Sequence, residues 1–212
     1  MRTDVTLPGL RERKKQRTRE ALIRVALERF TTSGYEQTTV DEIVDAVEVS
    51  QRTFFRYFGS KEDVAFAVQH MVEERFIRSL RNRPAEEGPL DAMRNAALGA
   101  WDTIGEAILE VVPVELYLRT FLMIESTPAL LAVHLRRSTE MEDTLARILA
   151  DREGLDVDSD PRPRIAVAVF SGVMRVSCRL WGQGTDQSLP AIRDLTEKYF
   201  DQVGPALAPR WT

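Results

Sequence analysis

A single cysteine, two histidines and almost no strand-like alternation are the first features of this chain of 212 residues. With only Cys178 there can be no intrachain disulfide, which fits a reducing, cytoplasmic location. Cys178 lies in an apolar helical stretch and is expected to behave as a small buried hydrophobe rather than a reactive thiol. His70 and His134 are far apart and lack metal-ligand spacing, so no metal is expected. The chain has neither a glycine-rich phosphate loop nor a nucleophile elbow. No catalytic residue is assigned, no cofactor is expected, and the chain is not expected to be an enzyme. Unbroken apolar runs are short, residues 165–170 being among the longest, and none reaches the length of a bilayer span. The first ten residues contain no apolar core that could act as a signal peptide. A membrane partner is therefore not expected.

Apolar residues recur instead at helical spacing nearly throughout, which predicts an all-α fold of about nine helices. The first covers residues 13–32, with the stripe Ala21, Leu22, Val25, Ala26 and Phe30, and Ser33-Gly34 ends it. Thr39 and Glu42 form a capping box that opens the second, in which Ile43, Val44 and Val47 point inward. After a turn at Glu48-Val49, Ser50 caps the third helix, where Phe54 and Phe58 face the core at i and i+4. Ser60 caps a long fourth helix reaching residue 81. The segment PAEEGP at 84–89 breaks the chain, and a domain joint is expected there. Further helices are expected over residues 90–111, 114–125, 128–154, 164–181 and 190–203.

The formal net charge of -4 argues against nucleic-acid binding, but the charge is unevenly placed. Arg11, Arg13, Lys14, Lys15, Arg17 and Arg19 crowd the start with only Glu12 among them, whereas Glu140, Glu142, Asp143 and residues 156–160 carry acid later. A basic head on an acidic body is compatible with DNA contact through the head. The plainer alternative is a solvated, flexible tail, the reading adopted for residues 1–12.

The third predicted helix, SQRTFFRYF from Ser50, leaves an unusual outward set. With Phe54 and Phe58 inward, Gln51, Arg52, Thr53, Phe55, Arg56 and Tyr57 face out, and Ser50 joins them at the helix start. Arginine pairs bidentately with guanine and glutamine with adenine, while threonine or an aromatic edge meets the thymine methyl. Lys61 is placed to meet a phosphate, and Thr38 and Thr39 sit at a helix N-terminus suited to a phosphate oxygen. An ordinary core segment would explain Phe54 and Phe58 but not the outward Phe55 and Tyr57. The pattern is that of a helix-turn-helix reader of double-stranded DNA.

These residues bring a resemblance into view. RTREALIRVALERFTTSGYEQTTVDEIVDAVEVS, followed by SQRTFFRYFGSKEDV, resembles the TetR/AcrR family of bacterial transcriptional regulators. The resemblance rests on an amphipathic helix, Gly34-Tyr35, the Thr-Thr cap, a V-S-x-x-T-x-x-x-Y-F core and the S-K-E cap. It implies a DNA-binding domain over residues 13–83, including the connecting helix, and a ligand-binding and dimerisation domain over 84–212. It also implies a homodimer that represses a palindromic operator until a small molecule releases it. The chain departs from the family at the turn, with Glu48 where glycine is usual and Val44 and Val47 where residues are small. A non-glycine residue in a left-handed turn costs roughly 1 kcal/mol.

The helix expected over 164–181 is apolar on more than one side, which predicts packing on both its own core and a second copy. Val169, Val173, Val176 and Leu180, with Ile192, Leu195 and Tyr199 of the last helix, are the candidate dimer face, a four-helix bundle across a two-fold axis. The resemblance implies a ligand pocket of apolar walls with a few polar anchors. Its candidates are Trp101, Ile104, Ile108, Tyr117, Phe121, Leu122, Glu125, Arg137, Phe170 and Met174. The segment LYLRTFLMIESTPALLAVHLRR is similar to the mycofactocin-regulator branch of the family, which implies an acyl-type effector; an apolar or aromatic compound is the broader expectation. A helical small-molecule carrier or enzyme without DNA function, and an activator of the same fold, remain alternatives at this point.

Overall fold

The computed structural model describes residues 9–108, 111–208 and 210, leaving out the side chains of residues 104–107. The described residues form eleven helices and no strand: α1 (Leu10–Ser33), α2 (Val40–Ala46), α3 (Gln51–Tyr57), α4 (Lys61–Ala65), α5 (Ala67–Arg81), α6 (Pro89–Ile108), α7 (Val114–Ser126), α8 (Pro128–Glu153), α9 (Arg162–Gln183), α10 (Leu189–Asp201) and α11 (Val203–Ala206). The expected all-α architecture holds. Two helices beyond the expected nine come from a one-residue break at Phe66 and from the short turn α11. The break is slight, because the Phe66 N–H still donates to the Glu62 carbonyl and the His70 N–H to the Phe66 carbonyl. At the other end, α1 begins at Leu10, three residues before the expected start, so only residues 1–8 of the expected tail lie outside the described residues.

The chain divides into two compact units. The first holds the segment up to His70 together with Ile108–Thr127; the second holds Met71–Ala107 and the segment from Pro128 onward. This differs from the boundary expected at 83/84, because a break in helical patterning marks where a helix stops and not what it packs on. The α7 helix belongs with α1, against which it packs.

In the first unit α1 packs against α2, α4 and α7. One apolar stripe is too narrow for three neighbours, and Ile23 and Leu27 are accordingly as buried as Leu22, Ala26 and Phe30, while Val25 is only half-buried. Ile43, Val44, Phe54, Phe58, Val64 and Phe66 complete this core. Phe54 and Phe58 touch ring to ring at 5.4 Å, and Phe30 meets Tyr35 edge-on at 5.1 Å. Arg24 Nε donates to the Val111 carbonyl at 3.2 Å, tying α1 to the turn before α7.

The second unit is built around α9, which packs against α8 and α10. Its core joins Leu80, Met93, Leu145, Leu149, Val167, Phe170 and Phe200. Phe170 stacks on Phe76 at 5.4 Å and on Phe200 at 5.6 Å. Arg152 fastens the link between α5 and α6, donating to the carbonyls of Arg83, Pro84 and Glu87 at 3.0, 2.8 and 3.4 Å. The proline-containing segment read from sequence as a mere break is thus a clamped turn, with Arg83 also paired to Glu87.

Candidate nucleic-acid interface

The pair α2–α3 owes its geometry to caps at every end. The Thr39 N–H donates to Glu42 Oε2 at 2.8 Å, and the Glu42 N–H donates to Thr39 Oγ1 at 3.2 Å, so the capping box is complete. Those bonds from the Thr39 backbone and hydroxyl hold the Glu42 carboxyl below the usual glutamate range. At the other end of α2, the Val49 N–H reaches the Val44 carbonyl at 3.0 Å and the Glu48 N–H reaches Asp45 at 3.2 Å. This is a Schellman closure, which needs a left-handed residue, and Glu48 supplies it at φ 56°. The turn therefore forms where the sequence places it, with glutamate in the glycine position. Glu48→Gly should raise the unfolding free energy by roughly 0.5–1 kcal/mol in denaturant titration, since glycine carries no Cβ penalty there. A loss of stability would mean that Glu48 makes a contact outweighing its backbone strain.

Ser50 then caps α3, accepting from the Thr53 N–H at 3.2 Å with its hydroxyl 3.1 Å from that of Thr53. Phe54 and Phe58 are buried as expected. On the opposite face Gln51, Arg52 and Arg56 are exposed, Thr53 and Tyr57 are half-buried, and Phe55 is 52% exposed. The Arg56 guanidinium lies 5.1 Å from the Tyr57 ring centroid, a cation–π pair on the outer surface. Gln51 donates its amide to Asp41 of α2. That bond leaves the second amide N–H and the carbonyl oxygen of Gln51 for an outside partner.

Two expectations about phosphate contacts change. Thr38 is 2% exposed, and its hydroxyl donates to the Gly34 carbonyl at 2.8 Å, so it closes the α1–α2 turn and is not available to a phosphate. The Thr39 hydroxyl and N–H are both taken by the capping box. Lys61 Nζ donates to the Tyr35 and Thr38 carbonyls at 2.8 and 3.0 Å, 4.1 Å from the Tyr35 ring centroid. That leaves one of its three protons for an outside acceptor. Burial, with the Glu62 carboxylate alongside, pushes the Tyr35 hydroxyl well above its ordinary range. Sequence patterning identified these residues by type but could not see that the turns would consume their donors.

The candidate ligand residues are divided between the units. Ile108, Tyr117, Phe121, Leu122 and Glu125 belong to the first; Trp101, Arg137, Phe170 and Met174 belong to the second. Ile104 lies on α6, but its side chain is outside the described residues. Phe170 is a buried core residue stacked between the Phe76 and Phe200 rings. Met174 lies half-buried against the same core. Trp101 is notable because its indole N–H is buried with no acceptor among the described residues. Such a group costs roughly 1–3 kcal/mol unless something satisfies it.

The candidate dimer residues are mostly where a partner could meet them. Leu180 is 37% exposed, and Val169, Val173, Val176, Leu195 and Tyr199 are half-buried. Ile192 is corrected: at 1% exposure it sits inside its own core. Ile165, not counted with the face, is 59% exposed. By length and composition alone α9 could cross a bilayer. Unbroken apolar runs do not show this because Ser171, Gly172 and Arg175 interrupt them. Among the described residues no group of three or more His, Cys, Asp or Glu side chains could hold a metal ion.

Comparison with known proteins places this architecture. Residues 22–68 match the family described as bacterial regulatory proteins of the tetR family, and residues 87–208 match the MftR C-terminal domain. The chain is 48% identical to the HTH-type transcriptional regulator TcmR of Streptomyces glaucescens, over 96% of this chain and 90% of that one. It is 27% identical to MftR of Mycobacterium tuberculosis, a protein named for mycofactocin biosynthesis, over 92% and 93% of the two chains. A TetR-family regulator from Syntrophomonas wolfei shares the fold at a TM-score of 0.63 and 16% identity, covering 92% of this chain and 98% of that one. The chain belongs to the TetR family of bacterial transcriptional regulators, proteins that bind DNA through a helix-turn-helix.

Proposed function

We propose that the protein is a homodimeric repressor of a palindromic operator, released by a small apolar or acyl-type ligand. The observation that carries the DNA half is the outer face of α3, where Arg52, Arg56, Gln51 and the exposed Phe55 lie opposite two buried phenylalanines. A short helix with these side chains offers two arginine donors to guanine, a glutamine donor–acceptor pair to adenine and an aromatic edge to a thymine methyl. One such helix reads too few base pairs, and two related by a dyad need recognition helices roughly 34–36 Å apart. The apolar side chains left over on α9 support pairing with a second copy.

The ligand half rests on Trp101, whose buried indole N–H is a donor awaiting an acceptor. A ligand carbonyl there would be chosen by hydrogen bonding as well as by apolar contact. It releases DNA only by preferring the conformation that does not bind the operator. A thermal-shift screen of acyl-CoAs, fatty acids and aromatic compounds should yield a stabilising ligand that also weakens the operator complex in a gel shift. Trp101→Phe, which keeps the ring system's apolar bulk in part but removes the donor, should weaken that ligand roughly 5- to 100-fold while leaving operator affinity unchanged. Equal ligand affinity in both proteins would remove Trp101 from the site. Activation in place of repression uses the same geometry and differs only in where the operator lies, so a reporter with the native promoter separates the two. A helical carrier or enzyme without DNA function would show no operator binding in the same gel shift.

A further inference from the structure

The outer side of α2 and its turn is acidic, with Asp41, Glu42, Asp45 and Glu48 all exposed. Carboxylates beside a helix that reads DNA weaken binding to every duplex, because the DNA backbone is itself anionic. Two of the four serve α2 directly. Glu42 completes the capping box with Thr39, and Glu48 is the left-handed residue of the turn. Asp41, in the first turn of α2, instead reaches across to α3 and accepts from the Gln51 side-chain amide. Gln51 is the first residue of α3, directly after the Ser50 cap. The buried Val44 and Phe54 and the bond from the Val49 N–H to the Val44 carbonyl already hold the two helices together. An exposed polar pair adds little to that.

The chemistry of the pair is more informative than its strength. A carboxylate accepts hydrogen bonds and has no proton to give. It therefore dictates which way round the Gln51 amide stands: the NH2 group turns to Asp41 and the carbonyl turns away. Of the two amide protons, the one trans to the carbonyl meets the carboxylate without bringing two oxygens together. The edge left for an outside partner then holds the carbonyl oxygen and the other N–H side by side. Adenine presents the matching pair in the major groove, a donor at N6 and an acceptor at N7. Guanine presents two acceptors, N7 and O6, so the fixed carbonyl would face one of them. Without Asp41 the amide can turn over and give its protons to either guanine acceptor.

We infer that Asp41 is a positioning residue for base readout, fixing the Gln51 amide so that α3 accepts adenine and rejects guanine at one base pair of each half-site. The inference rests on the DNA-binding reading of α3. Asp41 touches no base and acts through Gln51.

The test is competition binding of the full-length protein to an operator recovered by genomic selection, against duplexes altered at single base pairs of one half-site. The base pair served by Gln51 is the one at which Gln51→Ala loses its preference. There the wild-type protein should prefer adenine to guanine by roughly 5- to 160-fold. Asp41→Asn, whose amide can donate as well as accept, should lower that preference roughly 2- to 12-fold and leave other positions unchanged. Asp41→Ala, which leaves Gln51 no partner at that position, should do the same. Asp45→Asn removes an equal charge one turn further along the same face of α2 and should keep the wild-type preference. In a Gln51→Ala background, Asp41→Asn should alter no preference, which a merely structural role for Asp41 would not produce. An unchanged adenine preference in both Asp41 variants overturns the inference. So does a loss that persists without Gln51, or one that Asp45→Asn reproduces, which would make the effect one of net charge. Failure of the wild-type protein to prefer its operator over a scrambled duplex is a different result, which removes the function proposed for α3 and the inference with it.

Discussion

Arg56→Ala should lose roughly 30- to 25,000-fold in operator affinity while folding normally. The estimate follows from the geometry of one side chain used twice. Arg56 is exposed on α3, and the contacts it makes among the described residues are to the neighbouring Tyr57, its ring and its hydroxyl. Truncation therefore leaves no buried group unpaired and should not disturb the Phe54–Phe58 core beneath it. A bidentate arginine–guanine contact discriminates by roughly 1–3 kcal/mol, and a dimer makes the contact in each half-site. The loss should fall on specific binding: affinity for scrambled DNA changes little, and the preference at one base pair of each half-site relaxes. Arg56→Lys would separate charge from geometry, because lysine keeps the cation but not the fork. Competition binding against single-base operator variants checks both points. An Arg56→Ala protein with wild-type affinity and an unchanged base preference would move the reading role to Arg52 or Gln51.

The second large effect is expected from Ile165→Glu/Leu180→Glu. Both side chains are exposed on α9, so the substitution costs the isolated chain little. In a dimer built on α9 they would be buried, and an unpaired buried carboxylate costs several kcal/mol per copy. Two copies in a symmetric interface repel each other as well, since residue meets like or near-like residue across the dyad. Sedimentation should show the wild-type protein near twice its 24.1 kDa chain mass and the variant near that mass itself. Operator affinity should fall at least 100-fold, because each half-site must then be bound on its own. A variant that remains a dimer would place the interface elsewhere on the chain.

Much of the first unit is legible in the sequence because local chemistry decides it. Thr39, Ser50 and Ser60 each accept a backbone N–H three residues on, a bond the sequence spacing alone predicts. The inward pair Phe54 and Phe58 follows from helical periodicity. The left-handed Glu48 follows from its place in the turn. What the sequence does not reveal is competition for donors and acceptors between segments distant along the chain. Lys61 belongs to the carbonyls of Tyr35 and Thr38, 26 and 23 residues away. Arg24 reaches Val111, 87 residues away. The α7 helix reads as part of the later domain because nothing in its own pattern says that its buried face meets α1. Ile192 reads as part of the dimer face for the same reason: an apolar residue shows no sign of which neighbour it will meet.

The basic start of α1 shows the opposite case, in which local rules are visibly broken. A run of cations at a helix N-terminus is unfavourable by itself, and in a consistent sequence such conflicts mark places where function outweighs local preference. The same holds for Glu48, where a strained residue sits between the two helices that must keep a fixed angle.

The most direct test of the central claim is footprinting of the wild-type protein on a duplex recovered by selection from fragmented genomic DNA. The account predicts a dyad-symmetric sequence with two protected half-sites centred about 10–10.5 base pairs apart, or a multiple of that spacing. Guanine-methylation interference within each half-site should disappear in Arg56→Ala. Recovery of no palindrome, or a footprint indifferent to substitutions at Arg52 and Arg56, would contradict it.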